Sequence, residues 1–254
     1  MGDKPRALVI PAAGRGTRMK VVDPDLPKEM LPIGPKPAIQ YAVEDGVDAG
    51  IEQIIIIISR AKETIREHFS RLAFPVTFRY QNEPRGEADA IALAEHAVES
   101  YPIAIMYPDN VYIPAPGALR RLTRTFEQHG TDVLALTLVT EENEMSAADT
   151  GKVDLTAMAA DLYRILGFFP KGRGHFRRRF TQELRACGIG IFGPHIFDAI
   201  RRARNTVTQD EFTDQPVRDL LLKERGLLGV RLPGEVFDTG DPEGYKRCLE
   251  QVNA

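Results

Sequence analysis

The chain has 254 residues, enough to bury the core of one large domain. Its 33 basic and 36 acidic residues nearly cancel, which excludes a global polyanion-binding surface and argues against nucleic acid as a partner. The two cysteines, Cys187 and Cys248, give neither a metal-ligand spacing nor a disulfide framework, and the most apolar run, over 54–58, is far too short to span a bilayer. With no apolar signal region at its start, the sequence reads as soluble and cytoplasmic, with no membrane partner.

A short apolar run over 7–10 predicts a buried strand. It breaks into a loop containing Ala12, Ala13, Gly14, Gly16, Thr17 and Arg18. Glycines there let the backbone approach a ligand and turn N–H groups toward an anion. Arg18 adds a fork-shaped charge suited to phosphate oxygens. No Gly-Lys-Ser/Thr follows, so the loop is not a Walker motif, and Met19 stands where the third glycine of a dinucleotide fingerprint belongs. On the glycines alone, an ordinary strand-to-helix turn is an equal alternative. The stretch 21–37 then carries Pro24, Pro27, Pro32 and Pro35, which resist regular structure. Leu26, Met30, Leu31 and Ile33 favour an ordered loop over a disordered one. Pro37 suits the first position of a helix over 37–49, closed by Gly50, with Ile39, Val43 and Val47 at every fourth residue.

The strand over 53–59 is apolar on both faces, as in the middle of a parallel sheet. A helix over 62–69, a strand over 76–80, a polar turn over 81–87 and a helix over 87–99 follow. Next come a strand over 103–106 ending at Tyr107, Pro108, Asp109 and Asn110, a helix over 117–129 and a strand over 133–140. This alternation predicts an α/β fold with a doubly wound, mostly parallel central sheet. Ligands in such sheets collect at the carboxyl ends of strands, where the glycine loop, the Gln81 turn and Asp109 all fall. The segment 141–185 breaks the rhythm. Short strands over 149–155 and 162–169 are assigned to a small side lobe, and the basic, glycine-rich stretch 171–179 to a mobile loop. A strand over 187–192, helices over 194–202 and 213–224 (the latter capped by Thr213), a strand over 229–232 and an amphipathic helix from Pro242 complete the chain. No repeat or linker divides it, so a single domain over 1–254 is expected.

Gly14, Arg15, Gly16, Thr17, Arg18 and Met19, with Pro27, Lys28, Glu29, Met30, Leu31 and Pro32 and then Lys36 and Pro37, resemble the sugar-phosphate nucleotidylyltransferases. Within that family the likeness is to the bacterial UTP–glucose-1-phosphate uridylyltransferases, the UDP-glucose pyrophosphorylases. It continues through Ile39, Gln40 and Tyr41, through Ala49, Gly50 and Ile51 and the isoleucine strand, thins over 141–185, and resumes at Gly188. The resemblance implies a Rossmann-like nucleotidyltransferase fold. It implies transfer of a nucleoside monophosphate from a nucleoside triphosphate, UTP foremost, to a sugar 1-phosphate, glucose 1-phosphate foremost, with release of pyrophosphate. Ala12, Ala13, Gly14, Gly16, Thr17, Gln81 and Gly86 would bind the nucleotide. Arg18 and Lys28 would be catalytic, Asp109 and Asp238 would hold Mg2+, and Gly188 would face the sugar. Charge neutralisation and in-line alignment are what such a transfer asks of a protein, and magnesium prefers hard oxygen ligands. Glu29 is left open between capping and solvating its loop, and the histidines, His175 and His195 among them, have no ligand spacing.

Two departures stand out. Arg85 and Glu87 differ from close relatives, which loosens the assignment of the base. The family's Glu-Lys-Pro before the sugar-site strand is absent, and Gly167, Phe168, Phe169, Pro170 and Lys171 stand there instead. Lys171, followed by Arg177, Arg178 and Arg179, is expected to grip the sugar phosphate. The alternatives are the same reaction with dTTP, CTP or GTP and another sugar 1-phosphate, and a non-catalytic nucleotide-sugar-binding regulatory protein on the same fold. A nicotinamide-linked dehydrogenase is disfavoured by the missing third glycine. A homo-oligomer is compatible with the sequence.

Overall fold

The computed structural model describes residues 3–98, 100–144, 151–169, 177–208 and 211–253. The first half runs β1 (Ala7–Pro11), β2 (Pro32–Ile33), β3 (Lys36–Pro37), α1 (Ala38–Asp48), β4 (Gln53–Ile58), α2 (Glu63–Ser70), β5 (Val76–Tyr80), α3 (Glu87–Ala92), β6 (Ile103–Met106), β7 (Asn110–Ile113) and α4 (Ala118–His129). The second half runs β8 (Val133–Leu138), β9 (Gly151–Ala159), β10 (Leu162–Phe168), β11 (Leu184–Phe192), α5 (Ile196–Arg204), α6 (Gln215–Arg225), β12 (Leu227–Arg231), β13 (Glu235–Asp238) and α7 (Pro242–Asn253). Among the described residues, no helix is long and apolar enough to cross a membrane.

Alternation along β1 and β4 builds two cores at once, because successive strand residues point to opposite faces. Val9, Ile55 and Ile57 join α3, α5 and α6 on one side. Leu8, Ile10, Ile54, Ile56 and Ile58 join α1, α2 and α4 on the other. All five isoleucines are fully buried. That is the doubly wound arrangement the sequence predicts.

Nine strands form the main sheet, in the order β5-β4-β1-β6-β11-β8-β12-β10-β9. β5, β4, β1 and β6 run parallel, as do β8 and β12. β11 is antiparallel to β6 and β8, and β10 is antiparallel to β12 and β9. The sheet is therefore mixed, where a mostly parallel one is expected from sequence. The strand–helix rhythm is interrupted after β8 by the β9–β10 hairpin, which needs no crossover, and β11 enters antiparallel between β6 and β8 before α5 and α6 lead on to β12. The two strands expected in a side lobe are β9 and β10, a hairpin that extends the central sheet at its edge. Tyr163 pairs with Gly229 of β12, so β12 is not left as an open edge.

The proline-rich stretch is ordered by a third apolar cluster. Met19, Leu31, Ile33, Tyr41, Val111, Phe237, Tyr245 and Cys248 pack together, tying the glycine loop to α1, β7, β13 and α7. Met19, at the position of the missing third glycine, is thus a packing anchor. The Tyr41 hydroxyl donates to the Ile33 carbonyl and the Tyr245 hydroxyl to the Pro32 carbonyl, each at 2.8 Å, which pins the β2–β3 turn. α4 begins after Gly117 with no local cap. Instead Asp45 of α1 accepts from the backbone N–H groups of Gly117, Ala118 and Leu119 at 2.9, 3.1 and 2.7 Å. α6 is preceded by Asp214 rather than by a Thr213 cap, and its carboxylate is used elsewhere, as described below.

Candidate active site

A cavity of about 510 Å³ opens at the carboxyl ends of β1 and β6. Pro11, Ala13, Gly14, Arg15, Gly16, Thr17, Arg18 and Lys28 line it, with Gln81, Gly86, Asp109, Gly188 and Asp238. That volume lies in the range of small-molecule sites. Of the residues singled out from sequence, Ala12 is buried just behind the loop, its N–H donating to the Ile57 carbonyl at 2.8 Å. Lys171 lies outside the described residues.

The two acidic residues meet because of a pairing invisible in the local sequence. β7 begins immediately after Asp109 and pairs antiparallel with β13, Asn110 lying opposite Asp238. The Thr239 N–H then donates to the Asp109 carbonyl at 2.7 Å. Both carboxylates flank Gly240: a Cβ there would lie 2.7 Å from Asp109 Oδ2 and 3.1 Å from Asp238 Oδ1. The Lys28 ammonium bonds Asp109 Oδ2. Burial works to lower Lys28, but Asp109, Glu29 and Asp238 outweigh it and hold the ammonium above its ordinary value. Burial likewise pushes Asp109 up, and Lys28 outweighs it and holds the carboxyl low. Asp238 is pushed up to about 6, first by burial and then by the charge of Asp109, against the pull of Arg185, Arg18 and Lys28. Among the described residues no cluster of three or more His, Cys, Asp or Glu side chains is placed to hold a metal. Asp109 and Asp238 thus stand as a pair of carboxylates beside Gly240.

Sequence reasoning missed the group that fixes Lys28. Glu29, left open above, points inward and is 1 % exposed. It meets Lys62, which is 6 % exposed and donates to both Glu29 oxygens and to the Ala12 carbonyl, each at 2.8 Å. One buried ammonium thus joins the end of β1 to the loop that carries Lys28. Burial lowers Lys62 despite the attraction of Glu29.

Gln81 is buried, and its Nε2 donates to the Gly86 carbonyl at 3.1 Å and to Asp89 Oδ2 at 3.0 Å. Gly86 has φ 102°, and a Cβ there would lie 2.3 Å from the Phe212 carbonyl oxygen. Only glycine fits that approach. At Gly188, expected to face the sugar, a Cβ would fall 2.1 Å from the Tyr107 ring. Its absence lets the ring cross the strand, and the Tyr107 hydroxyl donates to Asp214 Oδ2 at 2.7 Å. Burial, then Asp214 and Glu87, raise this phenol well above its ordinary value, so it stays a donor. Arg178 and Arg179, expected to reach the substrate, do not line the cavity. Arg178 pairs with Glu141 and Glu144, and Arg179 with Asp154 and Glu183. His195 meets Asp132 at 2.7 Å, a packing role.

Glycine loop, lysine and paired acids around one cavity are the parts of a nucleotide-transferring enzyme. The nucleotidyl transferase family model matches residues 7–253, and the chain belongs to that family of enzymes. It is 29 % identical to a UTP–glucose-1-phosphate uridylyltransferase of Bacillus subtilis, covering 99 % of this chain and 91 % of that protein. A protein of the same description from Pseudomonas aeruginosa is 27 % identical over 93 % of this chain and 92 % of its own. Among solved structures, a UDP-glucose pyrophosphorylase complexed with UDP-glucose superposes with a TM-score of 0.82 at 23 % identity, covering 98 % of each chain. A UTP-bound enzyme from Acinetobacter baumannii gives 0.77 at 22 % identity, covering 97 % of this chain and 93 % of that one.

Proposed function

We propose that the chain transfers a uridylyl group from UTP to glucose 1-phosphate and releases pyrophosphate. The observation that carries this reading is the Lys28–Asp109 contact beside Asp238, in one cavity with the glycine loop and Arg18. The descriptions of the sequence relatives support UTP and glucose 1-phosphate as the substrates.

The nucleotide phosphates would lie against Gly14, Gly16 and Thr17. An oxygen of the sugar phosphate attacks the α-phosphorus, a new P–O bond forms, and the bond to pyrophosphate breaks with its electrons. Lys28 and Arg18 neutralise charge as it moves onto the leaving group. Among the described lining residues there is no histidine, and Cys187 is held up to about 12 by burial with its Sγ donating to the Ala135 carbonyl. That favours direct transfer over a covalent nucleotidyl-enzyme. Asp109 and Asp238 fit Mg2+: hard oxygen donors, converging on Gly240, with one carboxyl raised by burial and then by its neighbour's charge. When bound there, the ion would supply further neutralisation of the phosphates. The sugar phosphate and triphosphate substrates, with two free cysteines, suit a cytoplasmic setting.

The commitment of the Gln81 amide to Gly86 and Asp89 favours a second reading, the same transfer with dTTP, CTP or GTP. Pyrophosphate release from a panel of nucleoside triphosphates against several sugar 1-phosphates tests both. Fastest release with UTP and glucose 1-phosphate is expected. Preference for another base supports the second reading, and silence across the panel overturns both.

A further inference from the structure

The cations lining the cavity fall into separate groups. Arg15, Arg18 and Lys28 belong to the glycine loop and the acidic pair. Arg218 of α6 is the remaining lining Lys or Arg among the described residues. Its surroundings are the sugar-side residues. Nη2 lies 3.2 Å from Asp214 Oδ1, and Asp214 holds the Tyr107 hydroxyl. A Cβ at Gly151 would meet Nη1 at 3.7 Å, ordinary contact distance, so this cavity-lining glycine lies beside that nitrogen. The guanidinium also lies 5.0 Å from the ring centroid of Phe168. No acceptor meets the buried Nε.

An arginine oriented by one carboxylate and one aromatic ring, with donors to spare, is built to receive oxygens of an oxyanion. Phe168 belongs to the segment where the sequence lacks the expected charged residues, and the nearby Arg178 and Arg179 are tied to acids of their own. We propose that Arg218 binds the phosphate of the sugar 1-phosphate, with Asp214 and Phe168 positioning its guanidinium. This rests on the sugar-1-phosphate reading above.

The test is steady-state kinetics on Arg218→Gln, Arg218→Lys and Lys171→Ala beside the wild type, with UTP and glucose 1-phosphate. Arg218→Gln is expected to raise KM for the sugar 1-phosphate roughly 10- to 100-fold, the size of one lost charge-assisted hydrogen bond, with KM for UTP unchanged. Arg218→Lys keeps the charge but loses the planar fork, and a smaller rise in the same constant is expected. If Arg218→Gln does not fold, the lysine variant decides: an unchanged sugar-phosphate KM overturns the proposal. So does an equal rise in both KM values, which marks a structural role, or an effect confined to Lys171→Ala. A wild type that turns over while Arg218→Gln matches it removes this inference alone. A wild type inactive with every nucleotide and sugar 1-phosphate removes the underlying reading as well.

Discussion

Replacing Lys62 with methionine keeps the length of the side chain and removes a single charge. It leaves the Glu29 carboxylate buried without its cation and the Ala12 carbonyl without its donor. Breaking a buried ion pair from one side typically costs about 3–5 kcal/mol. Lys62→Met should therefore lower the free energy of unfolding by about that much, read from urea denaturation followed by circular dichroism. The double variant Glu29→Leu/Lys62→Met removes both charges. Its remaining loss is the unmet Ala12 carbonyl, about 1–3 kcal/mol. Turnover should not recover with stability. Glu29 adjoins Lys28, and a shift of the reacting groups by about 1 Å can cost on the order of 10²-fold in rate. The expected pattern is a double variant that is more stable than Lys62→Met yet still slow. A Lys62→Met protein as stable as the wild type, or a double variant with full turnover, would refute the idea that this buried pair positions Lys28.

Arg18→Ala and Lys28→Ala should each lower kcat by about 10²–10³ while leaving KM for the sugar phosphate nearly unchanged, because their charges matter most as negative charge moves to pyrophosphate; initial-rate kinetics over both substrates checks this. Asp109→Ala and Asp238→Ala should nearly abolish turnover with unchanged circular dichroism, and near wild-type activity of either at limiting magnesium would remove that residue from the metal site. Asp45→Ala orphans three N–H groups at the start of α4 and should cost about 2–3 kcal/mol of stability in denaturant titration, with KM for both substrates preserved.

What the sequence disclosed was what neighbours along the chain determine. The run over 54–58 is apolar at every position, and a strand buried on both faces is the arrangement that absorbs it. The glycine loop and the stretch around Lys28 were readable as motifs. The meeting of Asp109 with Asp238 was not, because it depends on β7, a four-residue strand, pairing with β13 more than a hundred residues away. Lys62 gave no signal for the same reason: beside Ala61 and Glu63 it reads as the start of a helix, and its partners Glu29 and Ala12 come from other loops. The parallel arrangement was over-extended because alternation of strands and helices says nothing of β9 and β10, whose pairing partner β12 is read much later in the chain. Thr213 looked like a cap from composition, whereas Asp214 precedes the helix and spends its carboxylate on Tyr107 and Arg218.

Direct transfer to a sugar 1-phosphate is the centre of this account, and isotope exchange between labelled pyrophosphate and UTP tests it most directly. In the absence of sugar phosphate, a protein with no covalent nucleotidyl intermediate should move no label into UTP. Adding glucose 1-phosphate and magnesium should start the exchange, and Lys28→Ala should suppress it. Exchange without any sugar phosphate would reveal a nucleotidyl-enzyme and contradict direct transfer. No exchange with any sugar 1-phosphate would contradict the assigned reaction itself.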